Sequence, residues 1–319
     1  MPAVVESSPT RPPTDALDTA AQQPSAFVVP GCPQPVADAP HLTAAQGTLL
    51  REITVLDETG ARRNLHIPVE RPLTVFIDKR ELVTLMTLGA SPELLVLGWL
   101  LNQRLIAGVA DVASITVDWD VGAAAVKTHA GIADLEAKTA HRVVTTGCGQ
   151  GTVFGDAMAQ LDGIRLPDVA SARIHQRTLS ALLEQMRQRN SIHRKAGSVH
   201  GCALFAGSEM LVAVEDVGRH NAIDTIAGWM GRYGVLGADK LFYTTGRLTS
   251  EMVMKSAQMG VPIIVSRNGV TAMGHGLAQQ LGMTLFGRAA NRHFLCYTGF
   301  ERFDAEPEPQ RTPVRVVAG

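Results

Sequence analysis

The chain has 319 residues, 45% hydrophobic and 18% charged, with a formal net charge of −1. That length accommodates one large globular domain or two smaller ones, and the near-neutral balance gives no electrostatic reason to expect nucleic-acid or membrane-surface binding. The longest apolar run, Leu94 to Leu101, is too short to span a bilayer, and the N-terminus lacks the basic and apolar regions of a secretory signal, so a cytoplasmic location is the default expectation.

Residues 1–45 hold nine of the seventeen prolines among Ala, Thr, Ser and Gln, a composition that predicts a disordered tail. Residues 46–140 read as a small β-rich part with one helix. Short runs at Glu52–Leu56, Leu65–Val69, Leu73–Ile77 and Leu82–Leu88 predict an antiparallel layer. Ser91-Pro92-Glu93 then supplies an N-cap, a first-turn proline and an early acid, which predict a helix to about Arg104. Strands follow at Ser114–Trp119 and Ala123–Thr128.

Residues 141–172 form a separate region that carries Cys148. A short strand (Val143, Val144) leads into it, and 156–172 is loop-like. Residues 173–304 read as an α/β core. Leu179, Leu182, Leu183 and Met186 fall on the spacing of an amphipathic helix. Strands are expected at 199–206, 209–214, 240–245, 261–266, 283–287 and 293–298, with helices at 220–233, 250–259 and 271–281. This alternation predicts an α/β fold with a mostly parallel sheet between helices. Residues 305–319 read as a loose tail.

The cysteines are Cys32, Cys148, Cys202 and Cys296, and none forms a Cys-x-x-Cys, so zinc-ribbon and thioredoxin-like signatures are absent. Cys202 and Cys296 lie in apolar strand-like runs, the ordinary setting of a buried free thiol. Cys32 sits in the proline-rich tail. Cys148, in Thr146-Gly147-Cys148-Gly149-Gln150-Gly151, is flanked by glycines that keep bulk away from it. Such a thiol is the reactive candidate, because a thiolate must be reachable to act as a nucleophile. The alternative is a tight turn in which Cys148 is incidental.

In an open α/β sheet, ligands bind beyond the carboxyl ends of the strands. Here four successive strand ends pair a glycine with an arginine: Gly218-Arg219, Gly246-Arg247, Arg267 with Gly269, and Gly287-Arg288, with Arg292 and His293 soon after. Glycine admits a ligand close to the backbone and arginine grips anions bidentately, so the pattern points to a crevice for a large, multiply phosphorylated ligand. Alternatively these arginines face water or pair with Glu215, Asp216 and Asp224. His220 reads as a binding or orienting residue, His200 as a structural one.

The chain resembles the formate dehydrogenase accessory sulfurtransferases, the FdhD family. The matching pieces run in order from about 49 to 300. They include Glu70-Arg71-Pro72-Leu73, Thr146-Gly147-Cys148-Gly149, Val199-His200, Gly246-Arg247 and the ten residues from Glu215 to Asp224. The resemblance implies a cytidine-deaminase-like three-layer core and a homodimer. It also implies a sulfurtransferase that takes persulfide sulfur from a cysteine desulfurase on Cys148. The sulfur would pass to the bis-molybdopterin guanine dinucleotide form of the molybdenum cofactor, before that cofactor enters the catalytic subunit of formate dehydrogenase. By position in the family pattern, cofactor binding falls on Arg288, Ala289, Ala290, Asn291, Arg292 and His293. Arg219, His220, Arg247 and Arg267 join them from the strand ends, and no permanently bound metal is expected.

Family members commonly carry Cys-x-x-Cys at this loop, and Gly151 occupies the second position here, which predicts a one-cysteine relay. Two other functions compete with this reading, and only the first remains open. A cofactor-binding chaperone without sulfur chemistry would also use the anion crevice. A zinc nucleobase deaminase needs His-x-Glu and Pro-Cys-x-x-Cys, and the chain has neither.

Overall fold

The computed structural model describes residues 25–31, 33–133, 135, 143–144, 151–152 and 163–306. In chain order the first elements are strands β1 (Phe27–Val28), β2 (His41–Leu42), β3 (Leu50–Leu56), β4 (Arg62–Pro68), β5 (Arg71–Ile77) and β6 (Arg80–Thr87), then helix α1 (Pro92–Asn102), β7 (Val112–Asp118) and β8 (Ala123–Thr128). β9 (Val143–Val144), β10 (Gly151–Thr152), β11 (Ile174–His175), α2 (Gln176–Gln188) and α3 (Ile192–Ala196) follow. The last part comprises β12 (His200–Ala206), β13 (Glu209–Asp216), α4 (Arg219–Tyr233), β14 (Lys240–Thr244), α5 (Ser250–Gln258), β15 (Ile263–Ser266), α6 (Ala272–Gln280), β16 (Thr284–Ala290), β17 (His293–Thr298) and β18 (Phe303–Asp304).

The N-terminal part is less uniform than a single antiparallel layer. β3 and β4 pair as a hairpin of their own, while five strands form a mixed sheet in the order β2-β7-β8-β5-β6. Alternation along β5 turns Leu73, Val75 and Ile77 to the interior, where they meet Leu95, Val96, Leu97 and Leu100 of α1. α1 is apolar around nearly its whole circumference, the pattern of a helix buried on all sides. Each fully buried leucine contributes roughly 1.5–3 kcal/mol.

The other side of α1 crosses α4 at a contact that only glycine permits. A Cβ on Gly98 would lie 1.7 Å from the Asp224 carbonyl oxygen, and one on Gly228 would lie 2.0 Å from that of Leu94. α1 thus serves both cores: Leu94 packs with Ile223 and Ile226, its neighbours with the small sheet.

The large sheet has seven strands in the order β1-β13-β12-β14-β15-β16-β17. α4, α5 and α6 cover one face and α2 the other, so the α/β reading holds. The expected parallel majority does not. Only β14–β15 and β15–β16 run parallel; the remaining four of the six pairings are antiparallel. β12 and β13 are joined by the tight Gly207-Ser208 turn, with Gly207 at φ +56°, and β16 and β17 by a similar short connection. Such hairpins are antiparallel by geometry, whereas strands linked through α5 and α6 return parallel.

The expected disorder of residues 1–45 does not hold for the described part of that segment. Phe27 and Val28 pair with Val214 and Ala213 at the sheet edge, and His41 and Leu42 pair with Ser114 and Ile115. Glu93 fastens the stretch that follows, accepting from Thr43 Oγ1 at 2.7 Å and the Ala45 N–H at 2.6 Å. Composition could not show these long-range partners.

The helix crossing yields a stability prediction. Gly98→Ala forces the two backbones apart and costs more than the ~1–3 kcal/mol of ordinary overpacking. Gly276→Ala on the exposed face of α6, where an added Cβ meets nothing within 4 Å, gains roughly 0.5–1 kcal/mol. Urea unfolding of both variants checks the contrast; equal effects would contradict it.

Candidate functional site

The carboxyl ends of β13, β14, β15 and β16 and the amino end of β12 meet along one edge of the large sheet, since His200 pairs with Asp216 and Cys202 with Thr244. Backbone bonds knit this edge. The Thr245 N–H donates to Gly201 O at 2.8 Å, the Arg267 N–H to Thr244 O at 3.0 Å, and the Arg288 N–H to Asn268 O at 2.8 Å.

Three acids of the Glu215–Asp224 block are engaged in holding this edge. Asp216 is buried and accepts four hydrogen bonds, from Thr87 Oγ1 (2.5 Å), Leu88 N–H (3.0 Å), Gly218 N–H (2.9 Å) and Asn221 Nδ2 (2.8 Å). Burial pushes its carboxyl up to about 6, and these four donors oppose the rise. Glu215 accepts from the Ile192 N–H (2.7 Å) and the His193 N–H (3.3 Å), which docks α3. Asp224 accepts from Lys255 Nζ (2.7 Å) and Asn102 Nδ2 (2.6 Å) between α4, α5 and α1.

Three of the strand-end arginines, Arg247, Arg267 and Arg288, do not spend themselves on those acids. Arg247, Arg267 and Arg288 are exposed, and among the described residues none of them pairs with a carboxylate. Arg219 begins α4, is buried, and lies against Gly246, where a Cβ would come within 2.9 Å of its Cδ. His200 is held below the ordinary imidazole value by burial first, then by the charges of Arg219, His193 and Arg247. The edge is thus electropositive on its α4 side, with His200, Arg219 and Arg247 brought together.

His220 stands beside Arg219 and is buried. Glu251 Oε1 lies 3.2 Å from its Nδ1 without hydrogen-bond geometry, and Nε2 has no partner among the described residues. Burial drives its pKa down to about 2, with the charges of Lys255, Arg219 and His200 adding to the effect. Lys255 Nζ lies 4.0 Å from the same Glu251 carboxylate. The ring is neutral at physiological pH.

The Arg288–His293 segment is the tip of the β16–β17 hairpin. It projects past β15, whose last pair with β16 is Val265 with Phe286. Arg288 (φ +50°) and Asn291 (φ +55°) take left-handed backbone there, a cost of roughly 1–2 kcal/mol for a residue with a Cβ. Arg288, Ala290, Asn291, Arg292 and His293 are exposed, whereas Ala289 is buried in the core beneath α2. Hydrogen bonding through Asn268 ties Arg288 to the edge; Arg292 and His293 stand further out.

Cys148 and Cys32 lie outside the described residues. On either side of Cys148, Gly151 pairs with Val144 and Thr152 with Val143. The two described cysteines are poor nucleophiles: burial pushes Cys202 up to about 12 and Cys296 to about 11. Among the described residues no group of three His, Cys, Asp or Glu side chains is placed to hold a metal ion, and no helix is long and apolar enough to cross a membrane.

Sequence reasoning missed Arg189, His193 and Arg194, which border the same edge from the α2 side. The signal was a basic run, with Arg187, Arg189, His193, Arg194 and Lys195 within nine positions of a near-neutral chain.

Residues 68–304 match the family model described as the FdhD/NarQ family. The chain belongs to that family. The sulfur carrier protein FdhD of Bacillus subtilis strain 168 is 32% identical over 234 residues, which cover 73% of this chain and 88% of that protein. The sulfur carrier protein FdhD of Geobacillus kaustophilus is 30% identical over 238 residues, again 73% of this chain and 88% of that one. The crystal structure of a candidate formate dehydrogenase accessory protein from Desulfotalea psychrophila superposes with a TM-score of 0.64 at 24% identity. That match covers 80% of this chain and 98% of that one and shows the shared fold.

The buried imidazole gives a pH prediction. An unfolded chain protonates His220 below its ordinary pKa of about 6.5, the folded chain only near 2, so its contribution is full above 6.5 and falls as pH drops. Asp216 acts oppositely, contributing fully below 3.8 and losing that contribution as pH rises through about 6. His220→Gln removes only the first effect. Between pH 7 and pH 5 the variant should lose about 2 kcal/mol less unfolding free energy than the wild type; an equal loss would show that His220 is not held neutral.

Proposed function

We propose that the chain is a single-cysteine sulfur carrier that loads sulfur on Cys148 and passes it to the molybdenum cofactor used by formate dehydrogenase. Membership of a family whose relatives are named sulfur carriers supports this reading. The observation that carries it is the contrast among thiols. Cys202 and Cys296 are held protonated by burial, and of the remaining two, Cys32 in the proline-rich tail and Cys148, the glycine-flanked Cys148 is the thiol suited to exchange.

Loading is a thiol exchange. The Cys148 thiolate attacks the outer sulfur of a persulfide on a cysteine desulfurase; the new S–S bond forms as the donor's S–S bond breaks, and the electron pair leaves on the donor's thiolate. Cys148 then carries a persulfide whose outer sulfur is the one handed on. No second cysteine at position 151 is needed for carrying.

The acceptor is treated as cargo, the bis-molybdopterin guanine dinucleotide form of the cofactor. Its phosphates suit an edge where Arg247, Arg267 and Arg288 have no carboxylate partner among the described residues, with Arg219, His220, Arg292 and His293 nearby on the same strand ends. The helices on both faces of the large sheet are compatible with the deaminase-like three-layer arrangement expected of the family. A cytoplasmic homodimer serving the formate dehydrogenase catalytic subunit completes the reading. A second reading, a cofactor chaperone without sulfur chemistry, is kept open by Gly151.

Complementation separates the two. In a strain lacking this protein, Cys148→Ala should restore less than a hundredth of wild-type formate dehydrogenase activity, while Cys296→Ala restores most of it. Full activity from Cys148→Ala would sink the relay and favour the chaperone.

A further inference from the structure

Away from the strand-end edge, the molecule holds a cavity of about 610 Å³, a size within the range of small-ligand sites. It lies past the Gly98–Gly228 crossing, where three helices end. Asn102 closes α1, Gly231 is in the last turn of α4 and Gln258 closes α5, and all three residues line the cavity. Residues 235–236 and 258–259 also line it and lead into β14 and β15, so it sits at the amino ends of those strands. The length of α4 separates it from Arg219 and the cationic edge.

The walls follow from how the helices stop. α1 turns back through Arg104, whose backbone is left-handed (φ +52°) and whose N–H donates to Leu101 O at 2.9 Å. α4 stops at Gly234 (φ +64°), and the Val235 N–H donates back to Met230 O at 2.9 Å. These reversals bring Ile106 and Leu236 into the lining beside Met230 and Met259. Leu236 is 79% exposed and forms a rim that an apolar occupant would cover.

The polar groups of the cavity ask for a donor. Asn102 is already committed, its Nδ2 donating to Asp224 at 2.6 Å beside the Lys255 ion pair. Gln258 Oε1 is shielded from solvent and accepts no hydrogen bond among the described residues. An acceptor left unmatched in this way is costly, and an N–H on a ligand would fill it. Three helix C-termini add partial negative charge, which favours the same kind of group. Arg104 is the one charged side chain among the described residues of the lining, and it disfavours a cation. Met230 and Met259 contribute polarizable sulfurs, which make favourable contacts with aromatic rings.

We infer that this cavity binds an uncharged aromatic heterocycle, held by a ring N–H that donates to Gln258 Oε1. Met230, Met259 and Ile106 enclose the ring, and Leu236 closes over its exposed side. The strand-end arginines take no part, and occupancy is independent of sulfur loading on Cys148. A ligand seated here stabilises the folded chain at the joint of α1, α4 and α5.

Two probes of the same shape test this on the full-length protein: indole, and benzofuran, which has oxygen in place of the N–H. Calorimetric titration should show indole binding the wild type roughly fivefold more tightly than benzofuran, the worth of one neutral hydrogen bond. Saturating indole should also raise the thermal midpoint. In Gln258→Leu the preference should vanish while benzofuran still binds and the circular dichroism spectrum is unchanged. Leu236→Asp, at an exposed position, should weaken both probes by roughly threefold. No binding of either probe to the wild type overturns the site, and so does binding that Leu236→Asp leaves unchanged. Equal affinity for the two probes, or a preference for indole that survives Gln258→Leu, overturns the donor assignment.

Discussion

The Asp216 carboxylate is the joint on which the rest of the site depends. It ends β13, takes two hydrogen bonds from the end of β6 and two from the turn that opens α4. Through it the small sheet fixes the point at which Arg219 and His220 enter the strand-end edge. Asn221 doubles the link by donating to Met86 O at 2.7 Å. A buried carboxylate is costly unless its lone pairs are filled, and four donors fill them here. The α1–α4 crossing extends the same joint. It holds Asp224 where Lys255 and Asn102 reach it, a buried ion pair that fixes three helices in one arrangement.

The consequence is a division of labour among charges. The acids of the Glu215–Asp224 block are consumed inside the fold, and Arg247, Arg267 and Arg288 at the strand ends are left exposed. An edge built this way presents three exposed guanidinium groups that pair with no carboxylate among the described residues. The thiols divide by the same logic. Those in the strands are silenced by burial, and glycine-flanked Cys148 lies outside the described residues.

Much of this was legible in the sequence because it is local. Pro92 at the start of α1, the amphipathic spacing of α2 and the helix-linked strands β14, β15 and β16 all follow from short-range rules. What escaped depends on distant partners. Phe27–Val28 looks like tail until Val214 is seen opposite it. Strand direction was misjudged because alternation does not distinguish a hairpin from a crossover. Glu215, Asp216 and Asp224 offered themselves as partners for the arginines, and only the fold shows Ile192, Thr87 and Lys255 in that place. The basic run from 187 to 195 was visible as composition, but its closeness to Gly201 and Thr245 was not. The resemblance to the FdhD family, by contrast, was readable from contiguous motifs, and the family match bears it out.

The most direct measurement is the location of transferred sulfur. The protein is incubated with a cysteine desulfurase and cysteine, alkylated, digested and mapped by mass spectrometry. The account predicts one additional sulfur atom on the peptide containing Cys148 and none on those containing Cys202 or Cys296. Sulfur on Cys202 or Cys296, or none on Cys148 from an active donor, would contradict it.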